Sequence, residues 1–391
     1  MNRIKSIGTI GIAMLLLFVC NPAPVTLPNA IATIPQATAT VLQDTAAPTI
    51  SSQATPTAPM ATQEPAAFPL SERGPYFTGH RAYKFLDESR IGREVRITLW
   101  YPALKQTDAD GRNITRDAVA DLSGAPYPLL LSSTKVAGIF APYLISHGFT
   151  WASVDGIDSY DQMNEEMIDQ PLDILFALDQ VASSSLEGLE GMIDAEQVGA
   201  MGYSFDGYNA LALSGARIDP EFYLAQCATP EATKTTYLSA FSCDPARNWD
   251  EFAAHAGEAI TASEDGLWQP MTDERIRAVL PMAGEGWWLF GERGLATVDR
   301  PALILVATKD GLYPENVQIF EHLGTSEKAL ISFVGRDHMM VFEQKMVDRM
   351  AHFAVAFFGY HLQGRQDLAW YFSPDFVAQH DDLAWGVSQG E

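Results

Sequence analysis

From Glu94 to Tyr101 the chain reads Glu-Val-Arg-Ile-Thr-Leu-Trp-Tyr, apolar and polar in alternation, and the run stops at Pro102. A period of two predicts a half-buried strand. Leu129–Leu131, just after Pro128, and Trp151–Val154 are instead unbroken apolar runs, which suit strands covered on both faces. Between Gln170 and Ala182 the period lengthens: Leu172, Leu175, Phe176, Leu178 and Val181 recur at helical spacing. An apolar stretch then leads through Val198 into Gly202-Tyr203-Ser204, followed by a helix-forming segment. Ile276–Leu280, Ala302–Val306 and Ala329–Val334 are further strands, and Met346, Met350, Phe353 and Phe357, spaced four, three and four, mark a last helix. Strands alternating with helices predict an α/β class with a mostly parallel, doubly covered sheet. The stretch about 217–272 interrupts this alternation and reads as a helical cap insertion over the site.

The ends of the chain have a different texture. Residues 1–20 carry Arg3 and Lys5 before the uncharged apolar run Ile7–Val19, the pattern of a secretion leader and short for a membrane span. Cys20 closes that run in the manner of a lipoprotein box, whereas Ala30-Ile31-Ala32 offers an ordinary cleavage site. Lipidation at Cys20, simple export and an uncleaved anchor all stay open. Residues 21–69, rich in Pro, Thr, Ala and Gln, bury too little apolar surface to offset their ordering entropy and predict an extended tether. The folded domain is expected over 70–372, with a tail at 373–391. With Cys20 assigned to the leader, Cys227 and Cys243 remain as an expected disulfide of an exported protein, held in the extracellular space or cell envelope.

At 47% hydrophobic residues the 391-residue chain can bury a sizeable core. Its net charge of −24, from 49 acidic against 25 basic residues, repels phosphate backbones and anionic lipid at long range, so nucleic acid is not an expected partner.

The strand ending in Gly202-Tyr203-Ser204 and turning at once into a helix is a nucleophile elbow: a tight turn lifts the serine hydroxyl above the sheet edge, and small residues must flank it. Gly202 and Gly207 meet that need. Asp206 stands where a second glycine is usual, and its charge opposes an oxyanion unless it points away or is paired. A serine hydroxyl needs a histidine to take its proton and a carboxylate to orient that histidine. Asp310 follows the strand at 302–306, and His338 lies in Gly335-Arg336-Asp337-His338 after the next strand, so both fall at the sheet edge where Ser204 stands. Glu285, in Gly284-Glu285-Gly286-Trp287-Trp288, is the alternative acid. The oxyanion donors are expected to be the backbone N–H of Phe205 and one from the loop Ser132–Gly138, with Val136 or Lys135 as candidates. His147 precedes Gly148 at a helix end, and the remaining histidines show no metal-ligand spacing; no metal is expected.

On the elbow, the acid turn, the Gly-Arg-Asp-His loop, Tyr127-Pro128-Leu129, Ser146-His147-Gly148-Phe149 and the run Gly207–Ala216, the chain resembles exported bacterial α/β-hydrolases known as predicted dienelactone hydrolases. Those are similar in turn to platelet-activating-factor acetylhydrolases, a likeness carried here by Gly284–Phe290. The resemblance covers roughly residues 74–360. It implies an α/β-hydrolase fold and cofactor-free serine esterase or lipase-like chemistry on a small-molecule ester, with a membrane tether only through the leader. Trp268, Trp287, Trp288 and Phe290 then line an acyl or aryl pocket or form the core of the cap. The rival readings are an exported binding protein that kept the fold and lost catalysis, and a peptidase.

Overall fold

The computed structural model describes residues 68–155, 163–183, 185–229 and 243–388. The expected leader, Cys20 and nearly all of the tether lie outside them. Nine strands form one sheet: β1 (Phe77–Asp87), β2 (Arg93–Ala103), β3 (Tyr127–Ser133), β4 (Thr150–Val154), β5 (Ile193–Tyr203), β6 (Ile276–Met282), β7 (Ala302–Ala307), β8 (Lys328–Phe333) and β9 (Leu383–Trp385). Their order is β1-β2-β4-β3-β5-β6-β7-β8-β9. From β4 through β8 every neighbouring pair is parallel, while β1, β2 and β9 make the antiparallel margins. This is the mostly parallel α/β sheet expected, and its strand order is compatible with an α/β-hydrolase fold.

Every residue of β3, β4 and β7 is buried, as continuous apolar runs require when helices cover both faces. The helices are α1 (Thr134–Ser146), α2 (Met163–Ser183), α3 (Phe205–Leu213), α4 (Pro220–Cys227), α5 (Asp244–Arg247), α6 (Trp249–Ala256), α7 (Glu258–Thr261), α8 (Trp287–Leu295), α9 (Tyr313–His322), α10 (Gln344–Leu362) and α11 (Pro374–Val377). Helices α1 and α10 pack on each other and on the sheet; α2 packs on α3, and α8 on α9. Gly199 in β5 lets α10 approach closely, since a Cβ there would stand 2.6 Å from the Phe358 ring. No helix among the described residues is long and apolar enough to cross a membrane.

Three boundaries differ from the sequence expectation. Strand β2 runs through Pro102 to Ala103, because it pairs with β4 only over Ile97–Trp100, and beyond that a residue without an N–H costs no bond on the β4 side. The chain past 372 is no tail: Phe376 and Val377 are buried, and Leu383–Trp385 pairs antiparallel with Ile331–Phe333. At the other end Phe68, placed in the tether, stacks on His380 and meets His352 and Phe376 edge-on.

Where it is described, the insertion at 217–272 carries the short helices α4, α5, α6 and α7 and closes with a non-helical run over 262–272. Its α4 lies on α8 and its α6 on α2. Arg217 at its start bonds the Asp265 carboxylate and the carbonyls of Leu267 and Trp268 near its end, which pins the two ends together. Cys227, closing α4, is disulfide-bonded to Cys243 at the threshold of α5. Trp268 joins Trp249 and Phe252, Trp288 meets Tyr223, and Phe290 stacks on Tyr208, so of the four aromatics expected to line a pocket or form core these three are buried in core; Trp287 alone is half-buried, between Phe222 and His322.

Candidate active site

Ser204 occupies the single residue between β5 and α3, with φ 60° and ψ −124°, a backbone conformation unusual for a residue bearing a Cβ. The turn holds because its neighbours are small. A Cβ on Gly202 would lie 2.1 Å from the Asp206 carbonyl oxygen, and one on Gly207 2.6 Å from the Gly284 Cα. The Ser204 N–H donates to the Met282 carbonyl at the end of β6, and Gly207 N–H returns to the Ser204 carbonyl. Strain of this kind persists only where the surroundings over-determine it.

Strands β7 and β8 deliver the partners from the same sheet edge. Asp310 follows β7 and is almost wholly buried; its Oδ1 accepts the Leu312 N–H at 2.9 Å. His338 follows β8, and its Nδ1 stands 2.7 Å from Asp310 Oδ2 while its Nε2 stands 3.1 Å from Ser204 Oγ. The two loops are stitched together: Thr308 N–H donates to the Phe333 carbonyl, Lys309 N–H to the Arg336 carbonyl, and Gly335 N–H to the Thr308 hydroxyl. Tyr203 donates its hydroxyl to the His338 carbonyl at 2.6 Å, tying the histidine back to the elbow strand. The hydrogen bond that Asp310 accepts from His338 raises the His338 pKa above its ordinary value; burial opposes this, and the charges of Asp310, Glu285 and Asp337 add to it.

Glu285 is placed elsewhere. Its Oε1 lies 3.4 Å from Ser204 Oγ, and the Nδ1 position that an orienting acid must occupy is held by Asp310. The loop carrying Glu285 is gripped by two neighbours at the start of α9. Asn316 Oδ1 accepts the Gly284 N–H and its Nδ2 donates to the Gly284 carbonyl, while Glu315 Oε1 accepts the N–H groups of Gly286 and Trp287. Glu315 is fully buried; desolvation first, and the Glu285 charge second, raise its pKa well above the usual value.

Asp206 is also buried, and its Oδ1 accepts the hydroxyl of Ser133 at the end of β3. The extra carboxylate beside the elbow is therefore paired with the strand that leads into the expected oxyanion loop. That loop is not a loop: Lys135 and Val136 sit in the first turn of α1. The first N–H groups of a helix have no intrahelical partner, and Ser133 at the N-cap makes no side-chain cap bond. Phe205 is the first residue of α3.

Comparison with family models finds no match to this chain, and comparison with curated proteins finds none.

Two features were not anticipated. Glu315 and Asn316 stand in the first turn of α9, and nothing in their spacing signals a grip on a loop about 30 positions upstream. Glu165, Asp169 and His255 bring one ligand atom each within 4.8 Å of one another, where the sequence showed no metal spacing. Asp169 is engaged there by Arg93 at 2.9 Å and by His255 at 3.2 Å, with Arg90 beside it, so a cation would compete with two guanidinium groups. His147 lies at the far end of α1, bonded to the Glu72 carbonyl, with Gly148 at φ +85° ending the helix as expected.

Proposed function

We propose that this protein is a serine hydrolase of carboxylic esters that works through an acyl-enzyme. The observation that supports this best is the continuous chain from Ser204 Oγ to His338 Nε2 at 3.1 Å and from His338 Nδ1 to Asp310 at 2.7 Å. With Asp310 accepting the Nδ1 proton, Nε2 is the unprotonated nitrogen and takes the serine proton as Oγ attacks the ester carbonyl carbon. The new Oγ–C bond moves the carbonyl electron pair onto oxygen, where the backbone N–H groups of Phe205 and of Val136 or Lys135 stabilise it. Collapse breaks the bond to the alkoxy oxygen, which leaves with the proton from Nε2. Water then adds to the acyl-enzyme with His338 as base again, and the acid departs. The chemistry requires no cofactor.

The resemblance to dienelactone hydrolases and platelet-activating-factor acetylhydrolases supports short-chain, lactone or phospholipid-like esters as the substrate range. The Cys227–Cys243 disulfide supports an oxidising compartment, in keeping with export by the leader. A burst assay with 4-nitrophenyl acetate and butyrate on wild type and Ser204→Ala tests the reading, with organophosphonate labelling in parallel. A burst and stoichiometric labelling of Ser204, both lost in the variant, are expected; a folded wild type that shows neither overturns it in favour of a non-catalytic binding protein.

A further inference from the structure

Three of the chain's eight histidines meet one short stretch, Phe68–Glu72, which leads into the sheet from the N-terminal side. His380 stacks on the Phe68 ring with centroids 4.4 Å apart. His352, on α10 and fully buried, accepts the Leu70 N–H through Nδ1 at 3.2 Å. His147, at the end of α1, donates from Nε2 to the Glu72 carbonyl at 3.0 Å. Phe68, Tyr371 and Phe376 enclose the His352 ring.

The direction of each bond decides what a proton does to it. A backbone N–H can only donate, so Nδ1 of His352 is the unprotonated nitrogen and the ring proton sits on Nε2. That Nε2 is buried with no hydrogen-bond partner among the described residues. A second proton on the ring would set one N–H against another and place a charge in an apolar cage. The neighbouring charges do not offset this. Arg349 lies over the Phe68 ring and is paired with Asp382 at 2.6 Å, while His380 and His147 add positive charge when they protonate. Burial first, then His380 and His147, lower the His352 pKa to about 3. Burial and then Arg349 lower that of His380, with Asp382 opposing. His147 differs, because its N–H faces a carbonyl and keeps that bond when the ring gains a proton.

We propose that Phe68–Leu70 and its histidine cage form a clasp that acid releases. At neutral pH His352 and His380 are uncharged and hold the turn. The closed clasp resists protonation and the open one does not, so its stability is complete above about pH 6.5 and is lost as pH falls toward the closed value. Glu72 stays bound to His147, and the freed stretch pivots there. The ambient pH thereby sets how firmly the chain before Phe68 is held at its base. This device is independent of the hydrolase reading.

Hydrogen exchange of the Leu70 amide in the full chain, corrected for the intrinsic rate at each pH, reads the opening. The Tyr76 amide, bonded to the Ser146 carbonyl, is the internal reference. Between pH 7.5 and 5.0 the Leu70 opening constant is expected to rise at least about thirtyfold, the share of one histidine of ordinary pKa, while Tyr76 changes far less. In His352→Asn, whose side-chain oxygen replaces Nδ1 as an acceptor without titrating, the rise should shrink by about that factor. His380→Phe keeps a ring on Phe68 and should retain the His352 step. A Leu70 opening constant that ignores pH, a Tyr76 amide that opens in step with it, or the full rise persisting in His352→Asn overturns the proposal. The comparison of the two amides in wild type stands even if the Asn variant does not fold, and loss of the whole rise in His380→Phe overturns the role of His352.

Discussion

Ser133, the last residue of β3, donates its hydroxyl to the carboxylate of Asp206, two residues past the nucleophile, and both side chains are buried. A serine at a helix N-cap ordinarily turns its oxygen onto the N–H groups of the first turn. Here that hydroxyl is spent on Asp206, so the N–H groups at Lys135 and Val136 stay clear of it. Asp206→Asn retains an acceptor and should keep most activity. Asp206→Ala removes the buried Ser133–Asp206 hydrogen bond and frees Ser133 to cap α1, so it should lower kcat by about 100-fold and stability by about 1–3 kcal/mol. Steady-state kinetics and urea denaturation of the two variants measure this, and equal behaviour of Asn and Ala would count against it.

In the proposed mechanism His338 must be neutral at Nε2 to accept the serine proton. Its pKa is raised above 6.5, chiefly by the Asp310 hydrogen bond, so kcat/KM should fall as pH drops through that raised value. Asp310→Asn removes the bond and the charge; the acid limb should shift to lower pH while the plateau drops by about 10⁴-fold through the wrong tautomer. For stability the sign is the opposite: the His338–Asp310 pair contributes fully below pH 6.5 and its contribution is lost as pH rises through the raised pKa. A pH–rate profile of both proteins decides the first point. An unmoved acid limb in Asp310→Asn would exclude His338 as the titrating base.

Glu315 tests the clamp. Its pKa is raised well above 4.5, so the folded state binds its proton more tightly than the unfolded chain does. Stability from this source is greatest below pH 4.5 and declines as pH rises through the folded pKa. Glu315→Gln keeps the acceptor for Gly286 and Trp287 and should flatten that decline in thermal melts taken across pH. Glu315→Leu orphans both N–H groups, at about 1–3 kcal/mol each. A Gln variant with the wild-type pH slope would show that Glu315 is not its source.

The disulfide joins residues 16 positions apart. Closing a loop of that size restricts the unfolded chain and contributes about 3 kcal/mol in the entropic account. Cys227→Ser with Cys243→Ser should lower the unfolding free energy by that order, and reduction of the wild type should reproduce the effect. Agreement of the double variant with oxidised wild type in chemical denaturation would rule the contribution out.

The element pattern was legible where burial is complete. Leu129–Leu131 and Ala302–Val306 are apolar throughout because helices cover both faces of their strands. Strand β1 left no polarity signal: exposure alternates along Arg81–Asp87, but apolar Ala82 and Leu86 are on the exposed side and Arg81 and Asp87 on the inner one, so polarity does not follow the alternation. Strand β9 is three residues long, too short to show a period, and is defined by pairing with β8. Ser204, Asp310 and His338 could be named as candidates because the proposed chemistry demands them at strand ends in that order, and each strand end is a local signal.

What the chain order could not decide was which carboxylate meets the histidine. Asp310 and Glu285 both follow strands of the same parallel sheet, and a few ångströms of loop path separate orienting His338 from standing beside Ser204. That path is set by Asn316 and Glu315, some 30 residues away in sequence, and the pairing of Asp206 depends on Ser133, 73 positions earlier. Periodicity and turn residues act within one element, so the sequence by itself determined the buried strands, the elbow and the candidate set. Hydrogen bonds between loops depend on where distant elements are packed, so only the tertiary structure assigned each carboxylate its neighbour.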